Sequence, residues 1–276
     1  DWSSDVCSSD LHGATNMNLD LSNRCALVTG GSAGLGFATA LEFARHGAQV
    51  IIVARNGERL SRAVDQLRAG AGARVAGFVA DVTDRDAIGK LYGQIAQEHG
   101  GVDILVNNAG GSSRGSIETL SEEAWEADFE LKLFSAIRLC RLALPHMRAQ
   151  RWGRIINIVN TLAKTPGAGS APTSVSRAAG IAFTKVLANE VATHNILVNA
   201  ICVGRIDSEQ WRRFHSQSGS ALSYEDYLAE QGRAIPLGRM GRPDEFASLL
   251  SLLASEAGGY ITGTAINVDG GLSPAV

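Results

Sequence analysis

From residue 24 onward the chain alternates short runs that are nearly solid in apolar residues with longer stretches whose apolar positions recur every three or four residues. Seven runs read as strands: RCALVTG (24–30), AQVIIVA (48–54), RVAGFVA (74–80), VDILVNN (102–108), RIINIVN (154–160), ILVNAIC (196–202) and YITGTAINV (260–268). Continuous apolar runs, in place of strict alternation, are expected where a sheet is covered on both faces. The amphipathic stretches near 34–46, 57–69, 84–99, 121–149, 172–193 and 243–255 predict helices between them. Strand–helix–strand repeated in this way predicts an α/β, doubly wound fold: a seven-stranded, mostly parallel sheet with helices on both faces and right-handed crossovers.

One interval breaks the rhythm. Residues 205–239, between the sixth and seventh strands, are polar and weakly helical and carry Trp211, His215, Tyr224 and Tyr227. Ligands of open α/β sheets sit beyond the carboxyl ends of the strands, so this segment is expected to form a lid, the alternative being a solvated surface excursion. The first sixteen residues show no strand or helix pattern and resemble translated adapter DNA; they are read as a non-native or disordered extension, which sets Cys7 aside. Residues 17–276 then read as a single domain.

The 276 residues carry a formal charge of −3, which favours neither nucleic acid nor an anionic membrane as partner and leaves a small molecule. No apolar run approaches the roughly 18 residues of a membrane span. Cys25, Cys140 and Cys202 are scattered, without metal-ligand spacing, and read as reduced thiols of a soluble cytoplasmic protein with no metal.

The first strand runs into Thr29-Gly30-Gly31-Ser32-Ala33-Gly34-Leu35-Gly36 and then a helix. Gly30, Gly34 and Gly36 permit a tight turn, close backbone approach to a pyrophosphate and close helix packing, while the helix N-terminus favours the anion. A dinucleotide cofactor is therefore expected. At the end of the second strand, where an acid would accept the ribose hydroxyls of NAD, the chain has Ala54-Arg55 and no carboxylate. Arg55 is free there to pair with a 2′-phosphate, so NADP(H) is favoured over NAD(H), unless Arg55 merely ends its strand in solvent.

With the glycine turn, Asn107-Asn108-Ala109-Gly110 after the fourth strand, GRIINI in the fifth and the tail GRMGRPDEFASLLSLLASE before YITGTAINVDGG, the chain resembles the short-chain dehydrogenase/reductases, and within them the divergent 3-oxoacyl-acyl-carrier-protein reductase-like group. The resemblance runs from Met17 to the C-terminus. It implies a Rossmann domain in which Ser32, Ala33 and Leu35 line the pyrophosphate and ribose, Asp81 and Val82 hold the adenine, and Asn108, Ala109 and Gly110 pass beneath the cofactor. Gly204, Ile206 and Ser208 would meet the nicotinamide end, in an altered Val203-Gly204-Arg205-Ile206-Asp207-Ser208 segment. A homotetramer or dimer is also implied, packed through the helices at 121–149 and 172–193, with Leu131, Phe134, Ile137 and Leu142 offering apolar faces that would serve equally in a monomer core.

The catalytic residues of that family are Asn, Ser, Tyr and Lys, the Tyr four residues before the Lys. Ungapped alignment on the resemblance places Lys132, Asn160, Thr173 and Arg177 at these four positions, and no tyrosine of the chain has a Lys four residues later. An aliphatic alcohol is far less acidic than a phenol of pKa about 10, so Thr173 can hydrogen-bond a carbonyl but is a poor proton donor. Arg177 can still fork onto ribose hydroxyls or phosphate. Asn160 can donate its amide to a substrate oxygen, with Thr161 beside it. Lys132, partly withdrawn from water beside an arginine, is expected to substitute for the missing pair, unless its ammonium snorkels to the surface or pairs with Glu130 or Asp128. Tyr224, Tyr227 and His215 of the lid are lesser candidates for a donor. Two readings stand: an NADP(H)-dependent oxidoreductase moving hydride between nicotinamide and a ketone or secondary alcohol, and a catalytically inactive NADP(H)-binding pseudoenzyme that works through partners.

Overall fold

The computed structural model describes residues 17–72 and 74–276; the extension ahead of Met17, with Cys7, lies outside the described residues. Strand β1 (Cys25–Thr29) is followed by α1 (Gly34–Arg45), β2 (Gln49–Ala54), α2 (Gly57–Ala71), β3 (Val75–Val79), α3 (Arg85–His99) and β4 (Ile104–Asn107). The helix starts are set locally. Asn56 accepts a hydrogen bond from the Arg59 N–H at the head of α2, and Asp84 accepts from the N–H groups of Asp86 and Ala87 at the head of α3.

The second half adds β5 (Arg114–Gly115), α4 (Glu122–Phe129), a π-helical turn (Glu130–Phe134), α5 (Ser135–Gln150), β6 (Gly153–Asn160), β7 (Ala171–Pro172), α6 (Thr173–Val191) and β8 (Ile196–Val203). In the segment 205–239 lie α7 (Glu209–Ser218) and α8 (Tyr224–Gly232), and α9 (Pro243–Ala254) and β9 (Ala265–Val268) close the chain. The main sheet has the order β3-β2-β1-β4-β6-β8-β9 and every pairing in it is parallel. The expected strands are all present, the last starting at Ala265 instead of 260. The helix expected over 121–149 is divided by the π turn, and the two-residue pair β5–β7 is additional.

Neighbouring residues of each central strand point to opposite faces, and both faces are buried. Ala26, Val28, Val50, Ile52 and Val106 enter one apolar cluster, under α1, α2 and α9; Leu27, Ile51, Val53, Leu105 and Ile155 enter the other, under α3, α5 and α6. This two-sided burial is why the strands read as continuous apolar runs. The chain leaves β1 towards β2 and β3 on one side and reaches β4, β6, β8 and β9 on the other, so the loops after β1 and β4 diverge and open a crevice between them. Among the described residues no helix is long and apolar enough to cross a membrane.

Candidate active site

A cavity of about 710 Å³ occupies that crevice. Its floor begins with the glycine turn. Gly30 and Gly34 take positive φ values of 66° and 55°, and a Cβ on Gly36 would lie 2.4 Å from the Gly30 carbonyl oxygen, so packing holds the turn in this shape. Ser32, Ala33 and Leu35 line the cavity with the three glycines, and the N-cap of α1, Ala33, makes no side-chain hydrogen bond. An uncapped helix N-terminus at the base of a cavity suits a diphosphate. Thr29 ties this turn to the next strand: its Oγ1 accepts from the N–H groups of Asn108 and Ala109, each at 2.9 Å, and its carbonyl accepts from Asn108 Nδ2 at 2.9 Å. Asn108, Ala109 and Gly110 thereby form the facing wall.

At the far end, Arg55 lines the cavity and is exposed, with Asp81 and Val82 beside it. Arg55 is not free of acids, as the second strand alone suggested: Asp81, two residues beyond β3, brings Oδ2 to 3.7 Å of Nη1. Burial would raise the Asp81 carboxyl, but hydrogen bonds from the Thr83 N–H and hydroxyl, with the Arg55 charge, hold it below the usual carboxylate range. A second guanidinium, Arg59 in the first turn of α2, also lines this end; sequence reading missed it, although its place four residues beyond Arg55 was a signal.

The opposite end is built by β6 and α6. Asn157 accepts from Asn107 Nδ2 at 2.8 Å and donates to Thr184 Oγ1 at 2.9 Å, a buried chain of amides and a hydroxyl that pins α6 against β4 and β6. Thr173 opens α6 and Arg177 follows one turn later, so both reach the cavity on the same side. Arg177 Nη1 donates to the Ile158 carbonyl at 2.6 Å, while its buried Nε and the buried Asn160 Oδ1 have no partner among the described residues. Burial lowers the Arg177 guanidinium to about 10, still charged at neutral pH. Arg177 and Asn160 both line the cavity, and each keeps one buried polar atom unpaired close behind its wall.

Of the residues that the sequence assigned to the cofactor cradle and to the four catalytic positions, Lys132 alone is not on the wall. Its side chain is 3% exposed and lies behind Thr173, with Nζ donating to Thr173 Oγ1 at 2.7 Å and to Asp128 Oδ2. It does not snorkel, and Glu130 pairs with Arg138, but the pairing with Asp128 that the sequence offered as the alternative to a catalytic role is present. Burial lowers the ammonium to about 8, against the Asp128 hydrogen bond, which raises it, and with Arg177 and Arg114 lowering it further. Thr173 Oγ1 also accepts from the Ser113 N–H at 3.1 Å. With both lone pairs filled, this hydroxyl addresses a third group only as a donor.

A profile of the family described as short chain dehydrogenase matches residues 24–219. The chain belongs to that family. It is 34% identical over 253 residues to the 3-oxoacyl-[acyl-carrier-protein] reductase FabG of Thermotoga maritima, covering 91% of this chain and 98% of the relative. Among solved structures, L-sorbose reductase from Gluconobacter frateurii, complexed with NADPH and L-sorbose, has a TM-score of 0.90 and 34% identity, covering 94% of this chain and all of the other. An NADPH-bound short chain oxidoreductase from Pseudomonas aeruginosa PAO1, described as containing an atypical catalytic center, has a TM-score of 0.86 and 36% identity, covering 93% and 99%.

In this short-chain dehydrogenase the segment after β8 closes the cavity. Gly204 packs so tightly on Asp269 that a Cβ would fall 2.4 Å from that residue's own Cβ, and Ile206 pairs with Gly241 before Ser208 opens α7. Gly204, Ile206 and Ser208 all line the cavity, followed by Gln210, Trp211, Arg213 and Phe214 of α7. Tyr224, Tyr227 and His215, considered as donors from the sequence, lie off the wall, both phenol rings packing at a tilt against the His215 ring. Burial, and then the hydrogen bond to Asp207, push the Tyr224 phenol well above its ordinary value, which makes it a poor acid.

Proposed function

We propose that the protein is an NADP(H)-dependent reductase of ketones, or dehydrogenase of secondary alcohols, in which Lys132, Thr173 and Arg177, with Asn160, take the place of the usual Tyr and Lys. The glycine turn and the α1 N-terminus hold the diphosphate, Arg55 and Arg59 the 2′-phosphate, and Arg177 with the Asn108–Gly110 wall the nicotinamide ribose. Residues 17–276 act as one domain, with 205–239 as its lid over the substrate. NADPH, when bound, supplies hydride to the carbonyl carbon. Thr173 gives its proton to the carbonyl oxygen and takes one from the Lys132 ammonium behind it; Asn160 Nδ2 donates to the same oxygen. In the reverse direction the neutral Lys132 amine receives the proton of the alcohol through Thr173. The aliphatic hydroxyl conducts the proton, and the lysine, whose ammonium is lowered to about 8, supplies it near neutral pH.

The observation that carries this reading is the 2.7 Å contact between Lys132 Nζ and Thr173 Oγ1 directly behind the cavity wall. A structural neighbour described as having an atypical catalytic center supports it, since the same scaffold there departs from the usual pattern. The test is a titration of NADPH against NADH, followed by NADPH consumption with 3-oxoacyl thioesters, cyclic ketones and quinones. NADPH is expected to bind more tightly, and Lys132→Met to lower kcat about 10²–10⁴-fold with NADPH affinity retained. Unchanged turnover in that variant overturns the proton pathway; tight NADPH binding with no turnover across the panel leaves the pseudoenzyme reading.

A further inference from the structure

Asp128 lies at the end of α4, one turn before Lys132; it is 4% exposed and no part of the cavity wall. Three side chains engage its two oxygens: Lys132 Nζ on Oδ2, Thr173 Oγ1 on the same oxygen at 3.3 Å, and Ser176 Oγ on Oδ1 at 2.5 Å. A carboxylate withdrawn from water is costly unless paired and hydrogen-bonded, and here an ammonium and two hydroxyls satisfy it. The need runs the other way as well. The groups within electrostatic reach of Lys132 are Arg177 on α6, Arg114 on β5 and Asp128; both arginines, together with burial, disfavour the ammonium, and Asp128 opposes them. The Thr173 hydroxyl, its lone pairs filled by Lys132 and Ser113, has Asp128 Oδ2 as its protein acceptor at 3.3 Å, a long contact that leaves the proton free to turn towards a substrate oxygen.

We infer that Asp128 is the positioning residue of the proton-donating centre: its carboxylate holds the Lys132 ammonium against Thr173 Oγ1 and keeps it charged, and it acts on substrate only through Lys132. Its catalytic meaning rests on the function proposed above, but its physical content does not. Ser176, three residues beyond Thr173 on α6, fixes the other oxygen, so the carboxylate bridges the α4 end to the start of α6.

The titration of Lys132 itself is the test, followed in cofactor-free protein by NMR of lysine labelled with carbon-13 at Cε, the resonance assigned by its loss in Lys132→Met. Asp128→Asn keeps shape and an acceptor but removes the charge. It is expected to move the Lys132 midpoint lower by at least about one pH unit, to move the basic limb of the reductive pH profile equally, and to leave NADPH binding intact. Asp128→Glu, which restores the charge, is expected to return the midpoint towards that of the parent protein. An unmoved midpoint in Asp128→Asn overturns the inference whether or not the protein turns over any ketone. Should Asp128→Asn fail to fold alone, Lys132→Met decides: adding Asp128→Asn to it should recover melting temperature lost when the carboxylate was stranded, and a further fall overturns the pairing.

Discussion

A threonine hydroxyl is a weak acid, and Thr173 gains its use from what surrounds its oxygen. Lys132 and Ser113 fill its lone pairs, so its proton is the part left to address a ligand. The pH dependence follows from Lys132, lowered to about 8 mainly by burial. On the proposed pathway reduction uses the ammonium, so kcat for ketone reduction should fall as pH rises through about 8, and oxidation uses the free amine, so alcohol oxidation should rise over the same interval. Stopped-flow pH profiles in both directions check this, and parallel limbs in the two directions would contradict it. Counting along GRIINI and the following helix located Asn160, Thr173 and Arg177, and all three reach the cavity. Counting placed Lys132 as well, but not its depth, because register specifies the helix face and not which neighbour stands between a side chain and the cavity. For the same reason Asp81 beside Arg55 was not legible: the two residues follow different strands, and only the parallel pairing of β2 and β3 brings the ends of those strands together.

At the scale of elements, the turn between β1 and α1 is the most constrained piece of the site. In Gly36→Ala the new Cβ would meet the Gly30 carbonyl oxygen, a backbone atom, at 2.4 Å and Asn108 Nδ2 at 2.6 Å. The turn must open, so the variant is expected to lose about 1–3 kcal/mol of stability in denaturant and its NADPH affinity, measured by fluorescence titration. An unchanged dissociation constant would show that the turn does not grip the cofactor. The glycine spacing announced this element because no other residue fits it. The π turn at Glu130–Phe134 had no such signal: apolar periodicity near 3.6 runs through 121–149, and one widened turn shifts it too little to be seen. The pair β5–β7, two residues per strand, is likewise too short to carry a pattern, yet it sets Arg114 at the site's edge.

On the scale of the whole molecule, Phe134, Val175 and Val186 remain 45%, 44% and 57% exposed at the start of α5 and along α6, where apolar side chains gain by being covered. If copies of the chain pack through these helices, Phe134→Asp with Val186→Asp should shift the mass measured by light scattering towards the monomer, while a parent protein already monomeric would refute the oligomer. The amino-acid sequence determined the layer architecture and the cofactor cradle, because both depend on short-range rules: continuous apolar runs demand a sheet covered on two faces, and a glycine turn into a helix demands an anion. It also supplied the identities of the catalytic candidates. Tertiary structure alone decided how they are arranged, with a buried ammonium behind a hydroxyl, a carboxylate beneath both, and an acid beside Arg55. Those relations join residues up to 45 positions apart, and the electrostatics of such a group depends on the water that packing removes from around it.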